Sequence, residues 1–279
     1  MRVVVLVKQV PDISSDRSLE VDGRLRRTPS EAVLNELDEG GLETALRSAD
    51  ALGAELVAIT MGPAQASAAA RKALQVGAAL GIHVCDDALA GSDVVGTARV
   101  LAAAIRLLEQ EDPADPVALV VAGMSALDGL GSVVPALVAA ELGWPIVSYS
   151  AKVSIDAGDG SLASDAGGHV TITRATDHGT EELRTSLPAV VSVTDTIAAL
   201  RVPSFATMLA ARKATLRTLT VADLGLTTEE VGLAGARATI ADARPRPPRP
   251  PVQVVTDTGS AGSELVDFLV ARGLVEVSA

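Results

Sequence analysis

Short, uninterrupted apolar runs alternate with helical patterns over the first 145 residues, and this alternation is the strongest constraint on the fold. The clearest runs are residues 2–7 (RVVVLV), 55–60 (ELVAIT) and 117–122 (VALVVA), with a shorter one at 82–85. The helical patterns cover residues 42–52, 64–76, 94–108 and 133–142. Apolar runs without alternation are typical of strands buried on both faces of a parallel sheet. The sequence therefore predicts an α/β, Rossmann-like fold with helices on both faces of a parallel sheet.

The pattern changes after residue 145. Residues 152–155 and 169–174 are predicted to form a β-hairpin extension, and residues 190–194 another strand. Residues 244–251 (RPRPPRPP) exclude a helix or a central strand and predict an extended linker. A strand at 252–256 and a helix at 264–271 are expected beyond it. We therefore expect an α/β nucleotide-binding domain at 1–243, a proline-rich linker at 244–251 and a C-terminal arm at 252–279.

Composition excludes several classes of protein. The chain has four aromatic residues and a formal net charge of −12, so it lacks both the stacking platform and the basic surface of a nucleic-acid-binding protein. Cys85 is the only cysteine, so no internal disulfide forms. No apolar run reaches the roughly 18 residues of a membrane span. We expect a soluble, cytoplasmic protein.

Common catalytic signatures are absent from the sequence. It contains no GxxxxGK[ST] phosphate loop, no complete GxGxxG, no GxSxG and no HExxH. The three histidines, His83, His169 and His178, lack the spacing of metal ligands. We expect neither a catalytic residue nor a metal site.

A glycine-rich turn follows the strand at 117–122 and is the strongest local indication of a ligand site. This glycine loop (residues 123–132, GMSALDGLGS) precedes a predicted helix. Gly129, Gly131 and Ser132 are placed so that backbone N–H groups and the helix N-terminus contact a phosphate. Asp128 either orients the loop or binds a ribose hydroxyl. The alternative is an ordinary turn in which glycine supplies positive φ.

Residues 35–38 (NELD) come just before the first predicted helix and allow two interpretations. They contact the base or ribose of a nucleotide, or they form a solvated helix start at which acidic side chains are favoured by the dipole. Taken alone, the residues favour the second interpretation.

Several motifs, in order and spacing, resemble the beta subunit of electron transfer flavoprotein. They are residues 7–12 (VKQVPD), 34–39 (LNELDE), 61–64 (MGPA), 71–74 (RKAL), 187–193 (LPAVVSV), 201–205 (RVPSF) and 208–213 (MLAARK). The resemblance covers nearly the whole chain. It implies a heterodimer in which FAD is held mainly by the alpha subunit, and in which the C-terminal arm of this chain packs on that subunit.

The resemblance also implies a pocket that holds AMP as a structural ligand in this subunit. Its expected residues are Leu6, Asn35, Glu36, Leu37, Asp38, Met61, Gly123, Met124, Ser125, Ala126, Leu127, Asp128, Gly129, Leu130, Gly131, Ser132, Val133 and Val134. This set contains the glycine loop, for which the glycine-rich turn and the following helix N-terminus independently indicate a phosphate site.

Residues 195–214 correspond to the family's recognition loop, in which an apolar side chain docks into a partner dehydrogenase. The expected partner-binding residues are Arg201, Pro203, Ser204, Phe205, Met208 and Leu209, with Phe205 as the anchor. In the alternative, Phe205 and Met208 are the core of a short helix.

The implied role is an electron carrier and not an enzyme: electrons from dehydrogenases, of the acyl-CoA type among others, pass through FAD to a quinone oxidoreductase or another acceptor. Two alternatives remain open. One is a bifurcating relative whose pocket binds a second FAD, and the other is a stand-alone adenine-nucleotide-binding module of the stress-protein type.

Overall fold

The computed structural model describes residues 1–276 except 16, 159–166, 243, 245, 253 and 255. In these residues the strands are β1 (Arg2–Leu6), β2 (Gln9–Pro11), β3 (Ala32–Leu34), β4 (Glu55–Met61), β5 (Leu80–Val84), β6 (Val117–Gly123), β7 (Ile146–Ser150), β8 (Lys152–Asp156), β9 (His169–Thr176), β10 (Gly179–Ser186), β11 (Ala189–Val193) and β12 (Thr215–Leu219). The α-helices are α1 (Glu36–Leu52), α2 (Ser67–Val76), α3 (Val94–Glu111), α4 (Val134–Leu142), α5 (Phe205–Ala211), α6 (Gly232–Gly235) and α7 (Ala261–Ala271).

A seven-stranded parallel sheet forms the centre of the fold, in the order β12-β5-β4-β1-β6-β11-β7. The chain builds outward from β1 through β4 to β5, then returns to place β6 on the other side of β1. This reversal is a topological switch point, and open α/β sheets bind ligands at the carboxyl ends of strands there. The predicted parallel α/β fold is confirmed.

Two apolar cores cover the two faces of the sheet, which explains why the strand sequences do not alternate. In β1, Val3 and Val5 pack with α1 and α2, whereas Val4 and Leu6 pack with α3 and α4. Each residue of β1 is therefore buried on one face or the other, and the strand has no solvent-exposed face.

A three-stranded antiparallel sheet, β10-β9-β8, carries the predicted hairpin extension. The pairing of β8 with β9 is confirmed, but β10 was not expected. A two-stranded sheet of β2 and β3 was also missed.

Two predictions about helices and strands are wrong. Helix α1 begins at Glu36, six residues before the predicted start, so that Glu36, Leu37 and Asp38 lie in its first turn. The second is the strand predicted at 252–256 in the C-terminal arm: residues 252, 254 and 256 form no strand, and residues 253 and 255 lie outside the described residues.

The chain separates into two compact units, Met1–Ala241 and Asp242–Ala279. The second unit contains α7, which extends the helix predicted at 264–271 by three residues at its start. The described residues include no helix with the length and apolar character that crossing a membrane requires.

Candidate functional site

The glycine loop leaves the carboxyl end of β6 beside the switch point. It connects β6 to α4, and the chain that follows β1 passes next to it, because β1 and β6 are neighbours in the sheet. The sequence-predicted residues Leu6, Met61 and Gly123 lie at the ends of the adjacent strands β1, β4 and β6. Leu6 is buried and Met61 half-buried. The fold thus brings the expected pocket residues to one edge of the sheet.

Asn35 braces the glycine loop from the residue that precedes α1. Its buried side chain donates from Nδ2 to the Ser125 carbonyl oxygen at 2.9 Å and accepts at Oδ1 from the Leu127 amide at 3.0 Å. An amide that satisfies two backbone groups of one loop fixes the position of that loop. The interpretation of residues 35–38 as a solvated helix start is wrong for Asn35 and Asp38, which are buried, and fits only the exposed Glu36.

Asp128 is directed into the protein and not toward solvent. Its side chain is 3% exposed and accepts from Lys8 Nζ at 2.7 Å and from Arg27 Nη2 at 2.8 Å. Burial acts to raise the pKa of Asp128, but the two cations outweigh it, so the pKa lies below its ordinary value. Both carboxylate oxygens are engaged, which favours the loop-orienting role over ribose binding.

A third cation contacts the same loop. Arg17 donates from Nη1 to the Leu127 carbonyl oxygen at 2.7 Å. Three cationic residues therefore contact the glycine loop: Lys8 and Arg27 at the carboxylate of Asp128, and Arg17 at the backbone. Sequence reasoning missed all three; Lys8 lies in the VKQVPD motif, but Arg17 and Arg27 carry no local signal, since they are 110 and 101 residues from their partners.

Asp38 is a buried acid of a different kind. Its Oδ2 accepts from the Lys8 backbone N–H at 2.8 Å. Burial raises the pKa of Asp38 to about 7, because hydrogen bonds from neighbouring groups offset only part of the desolvation. A Cβ at Gly123 would lie 2.5 Å from the Asp38 Oδ1 atom and 2.6 Å from the Leu37 carbonyl oxygen. Only glycine fits this contact between β6 and α1.

The tip of the glycine loop is open. Gly129, Gly131 and Ser132 are exposed, and a Cβ at Gly129 would meet no atom within 4 Å. Positive φ occurs at Leu130 (48°) and Ser132 (54°) and not at the glycines, so the interpretation as a turn in which glycine supplies positive φ is wrong. Non-glycine residues with positive φ are uncommon and concentrate at functional sites.

Two features of this edge are suited to a polar ligand. The side chain of Val133, the N-cap residue of α4, makes no hydrogen bond to the N–H groups of the first helical turn. The buried Ser125 Oγ has no hydrogen-bond partner in the described part of the chain. An unpaired buried hydroxyl costs about 1–3 kcal/mol, which a ligand hydrogen bond recovers.

The recognition loop presents apolar side chains to solvent. Phe205 is 80% exposed at the start of α5, and Met208 and Leu209 are also exposed. The Ser204 Oγ accepts from the Thr207 amide at 3.1 Å and caps the helix. The alternative that Phe205 and Met208 form the core of a short helix is wrong. Val202 is exposed as well and was not among the expected residues.

Arg201 is engaged within the chain. Its guanidinium contacts the carboxylate of Glu43, a residue of α1 that sequence reasoning missed. In the described residues, no group of three or more His, Cys, Asp or Glu side chains has the arrangement of a metal site.

Comparisons with known proteins identify the family of the chain. A family model described as "Electron transfer flavoprotein domain" matches residues 24–224. The electron transfer flavoprotein subunit beta of Mycobacterium tuberculosis (strain ATCC 25618 / H37Rv) is 39% identical over 279 residues, 98% of this chain and 99% of the relative. The chain belongs to the electron transfer flavoprotein beta-subunit family.

Two other relatives carry the same name. The electron transfer flavoprotein subunit beta of Mycobacterium leprae (strain TN) is 38% identical over 279 residues, 98% of this chain and 99% of the relative. That of Thermoanaerobacterium thermosaccharolyticum is 31% identical over 237 residues, 85% of each chain. An electron transfer flavoprotein beta subunit carries electrons and is not itself an enzyme. It pairs with an alpha subunit, and a flavin is associated with the heterodimer.

Proposed function

We propose that this beta subunit holds AMP at the glycine loop and packs over an FAD that the alpha subunit mainly binds. Electrons from flavin dehydrogenases, of the acyl-CoA type among others, would reach the FAD and pass to a quinone oxidoreductase or another acceptor. The flavin supplies the redox chemistry, and this chain supplies position and electrostatics. The observation that carries the proposal is that one chain combines a glycine loop fixed by Asn35 at the switch point with an exposed Phe205 on α5.

The glycine loop has the chemistry that an adenylate requires. Its phosphate would face the N–H groups of the loop and of the first turn of α4, where the helix dipole favours an anion. Ser125 supplies a buried hydroxyl without a protein partner. Lys8, Arg17 and Arg27 hold the loop and add positive charge around it. The residues present therefore fit a mononucleotide.

Phe205 has the properties of a docking anchor. A single aromatic side chain that enters a partner's pocket supplies much of the energy of an interface. Met208 and Leu209 extend the apolar surface by a further turn of α5. A small apolar interface of this kind releases its partner quickly, as an electron carrier that serves several dehydrogenases requires.

Helix α7 supports a contact with the alpha subunit. Leu265, Val266 and Val270 are exposed on this helix at a spacing that places them on neighbouring turns. An apolar helix face needs a cover. We propose that the C-terminal arm places it on the alpha subunit. Separately, we propose that the protein is located in the cytoplasm.

A second FAD in the pocket of this subunit is the alternative function, and the same open loop tip and helix N-terminus would accept its pyrophosphate. A stand-alone nucleotide-binding module would leave the exposed surface of the recognition loop without a role.

The test is co-expression with the alpha subunit, followed by purification and absorbance spectroscopy. We expect a complex with a flavin spectrum that bleaches when a dehydrogenase and its substrate are added. A stable beta subunit that stays monomeric and free of flavin in the presence of the alpha subunit would contradict the proposal.

A further inference from the structure

Glu43 is a buried carboxylate at the base of the recognition loop. Its side chain is 4% exposed, on the second turn of α1. It accepts three hydrogen bonds from Arg201: from the backbone N–H at 3.2 Å, from Nε at 2.9 Å and from Nη2 at 3.1 Å. Arg47, one helical turn along α1, donates a fourth from Nε at 2.8 Å. Because both the main chain and the side chain of Arg201 are bound, its position and its orientation are both fixed.

The chain before Arg201 also lies tightly on α1. A Cβ at Gly40 would approach the Ile197 Cγ2 atom to 3.0 Å and the Ala198 carbonyl oxygen to 3.4 Å. Residues 197–201 therefore pack against Gly40 on one turn of α1 and form hydrogen bonds with Glu43 on the next turn. Beyond Arg201 the exposed residues Val202 and Phe205 begin.

The charge on Glu43 is maintained in spite of its burial. Burial acts to raise the pKa of Glu43, but Arg201 and Arg47 outweigh it and hold the pKa below its ordinary value. The carboxylate is therefore ionised at neutral pH, and its hydrogen bonds to Arg201 are charge-assisted.

We propose that Glu43 is a positioning residue for partner docking, which clamps Arg201 so that Phe205 is presented in one orientation to a dehydrogenase. The proposal rests on the proposed docking role of Phe205. Arg201 then acts through the clamp and not as a direct contact with the partner. A surface that is ordered before binding loses less conformational entropy on binding, so the clamp improves affinity without touching the partner.

The clamp makes a specific kinetic prediction. Its loss should raise the KM for the dehydrogenase about fivefold, given the entropy cost of ordering one or two side chains. The turnover number should stay unchanged, because the buried Glu43 acts only by positioning Arg201 and so affects docking rather than electron transfer. The amides of residues 202–209 should exchange their hydrogens faster in the free heterodimer.

The test uses the purified heterodimer with Glu43→Gln, Arg201→Gln and the double variant. Arg201→Gln provides the second route if Glu43→Gln folds poorly, since the Arg201 side chain is 41% exposed. Each single variant should raise KM, and the double variant should be no worse than either, because the two residues act through one contact. Arg47→Gln is the matched control: it removes an exposed partner of the same carboxylate, and its effect on KM should be less than about twofold.

Phe205→Ala separates the two proposals. If Phe205→Ala raises KM but neither Glu43→Gln nor Arg201→Gln does so, the clamp is overturned and the docking role stands. If Phe205→Ala leaves KM unchanged, the docking role fails, and the clamp proposal fails with it. If Glu43→Gln lowers flavin content and turnover but not affinity, its role is structural and the proposal is overturned.

Discussion

The glycine loop and the recognition loop are both held by a buried carboxylate with two cationic partners. Asp128 is paired with Lys8 and Arg27, and Glu43 with Arg201 and Arg47. The difference lies in where the acid sits. Asp128 belongs to the glycine loop itself, whereas Glu43 belongs to α1 and reaches only the base of the recognition loop.

This difference sets how much of each loop is fixed. In the glycine loop, contacts reach Ser125, Leu127 and Asp128 in succession, so the backbone is arranged before any ligand binds. In the recognition loop, Arg201 is held and Phe205 beyond it is exposed. The first arrangement suits a resident small molecule, and the second suits brief contacts with large partners.

Gly123→Ala should have the largest effect on the glycine loop. The new Cβ would overlap the Asp38 carboxylate and the backbone carbonyl of Leu37, and both residues are buried. We expect a loss of about 3 kcal/mol in the free energy of unfolding, measured by urea denaturation. Gly129→Ala is the control, since its Cβ meets no atom within 4 Å. Equal stability of the two variants would show that the contact between β6 and α1 is not tight.

Asp128→Asn should have the next largest effect. The substitution keeps the shape but removes the charge from contacts with Lys8 and Arg27, at a cost of about 2 kcal/mol in the free energy of unfolding. Affinity for AMP should fall as well, as measured by calorimetry on nucleotide-stripped complex. The control is Asp22→Asn, which weakens an exposed, solvent-screened pair with Arg24 and should leave the free energy of unfolding unchanged within the error of the measurement. If Asp128→Asn bound AMP as well as the parent, the loop would not depend on this ion pair.

Asp38 differs from Asp128 and Glu43, the two acids that are paired with cations, in how it makes the free energy of unfolding depend on pH. Its pKa of about 7 in the folded chain lies above its unfolded value. The folded state therefore binds the proton more tightly, and the stabilising contribution, complete below the unfolded pKa, is lost as pH rises through 7. The difference in unfolding free energy between parent and Asp38→Asn should fall by up to about 1.4 kcal/mol per pH unit between pH 5 and 7.

Glu43→Gln serves as the contrast in the same titration. The pKa of Glu43 is lowered, so its contribution is present above the unfolded pKa and is lost only as pH falls below it. Between pH 5 and 7 its difference curve should be flat. A flat curve for Asp38→Asn would mean that Asp38 is ionised in the folded chain throughout this range.

Phe205→Ala should have the smallest effect on stability. An 80% exposed side chain contributes little to the core, so the free energy of unfolding should change by less than about 0.5 kcal/mol. The KM for a dehydrogenase should rise severalfold in the same variant. A large loss of stability would show that Phe205 packs within the fold.

The central strands were predictable because a strand that is buried on both faces has an uninterrupted run of apolar residues in its sequence. The strands β10 and β12, which were missed, have no uninterrupted apolar run. β10 (GTEELRTS) is polar and mostly exposed, and β12 (TLRTL) lies at the edge of the sheet. The start of α1 was missed because Gly40 and Gly41 oppose helix formation locally. They are used there for close approach to Ile197 and Gly123.

The glycine loop was predictable from its local sequence, but the groups that hold it were not. Arg27 and Asp128 are 101 residues apart, and Glu43 and Arg201 are 158 apart. Nothing near any of these residues indicates its partner, because such pairs arise only from the tertiary arrangement of α1, the segment after β2 and the carboxyl edge of the sheet.

Identification of the nucleotide that the native complex retains is the most direct test of the central claim. The co-purified heterodimer is denatured, and the released small molecules are separated and quantified by liquid chromatography with mass spectrometry. The account predicts AMP and FAD in equimolar amounts. FAD released without AMP, whether one or two molecules per heterodimer, would contradict it.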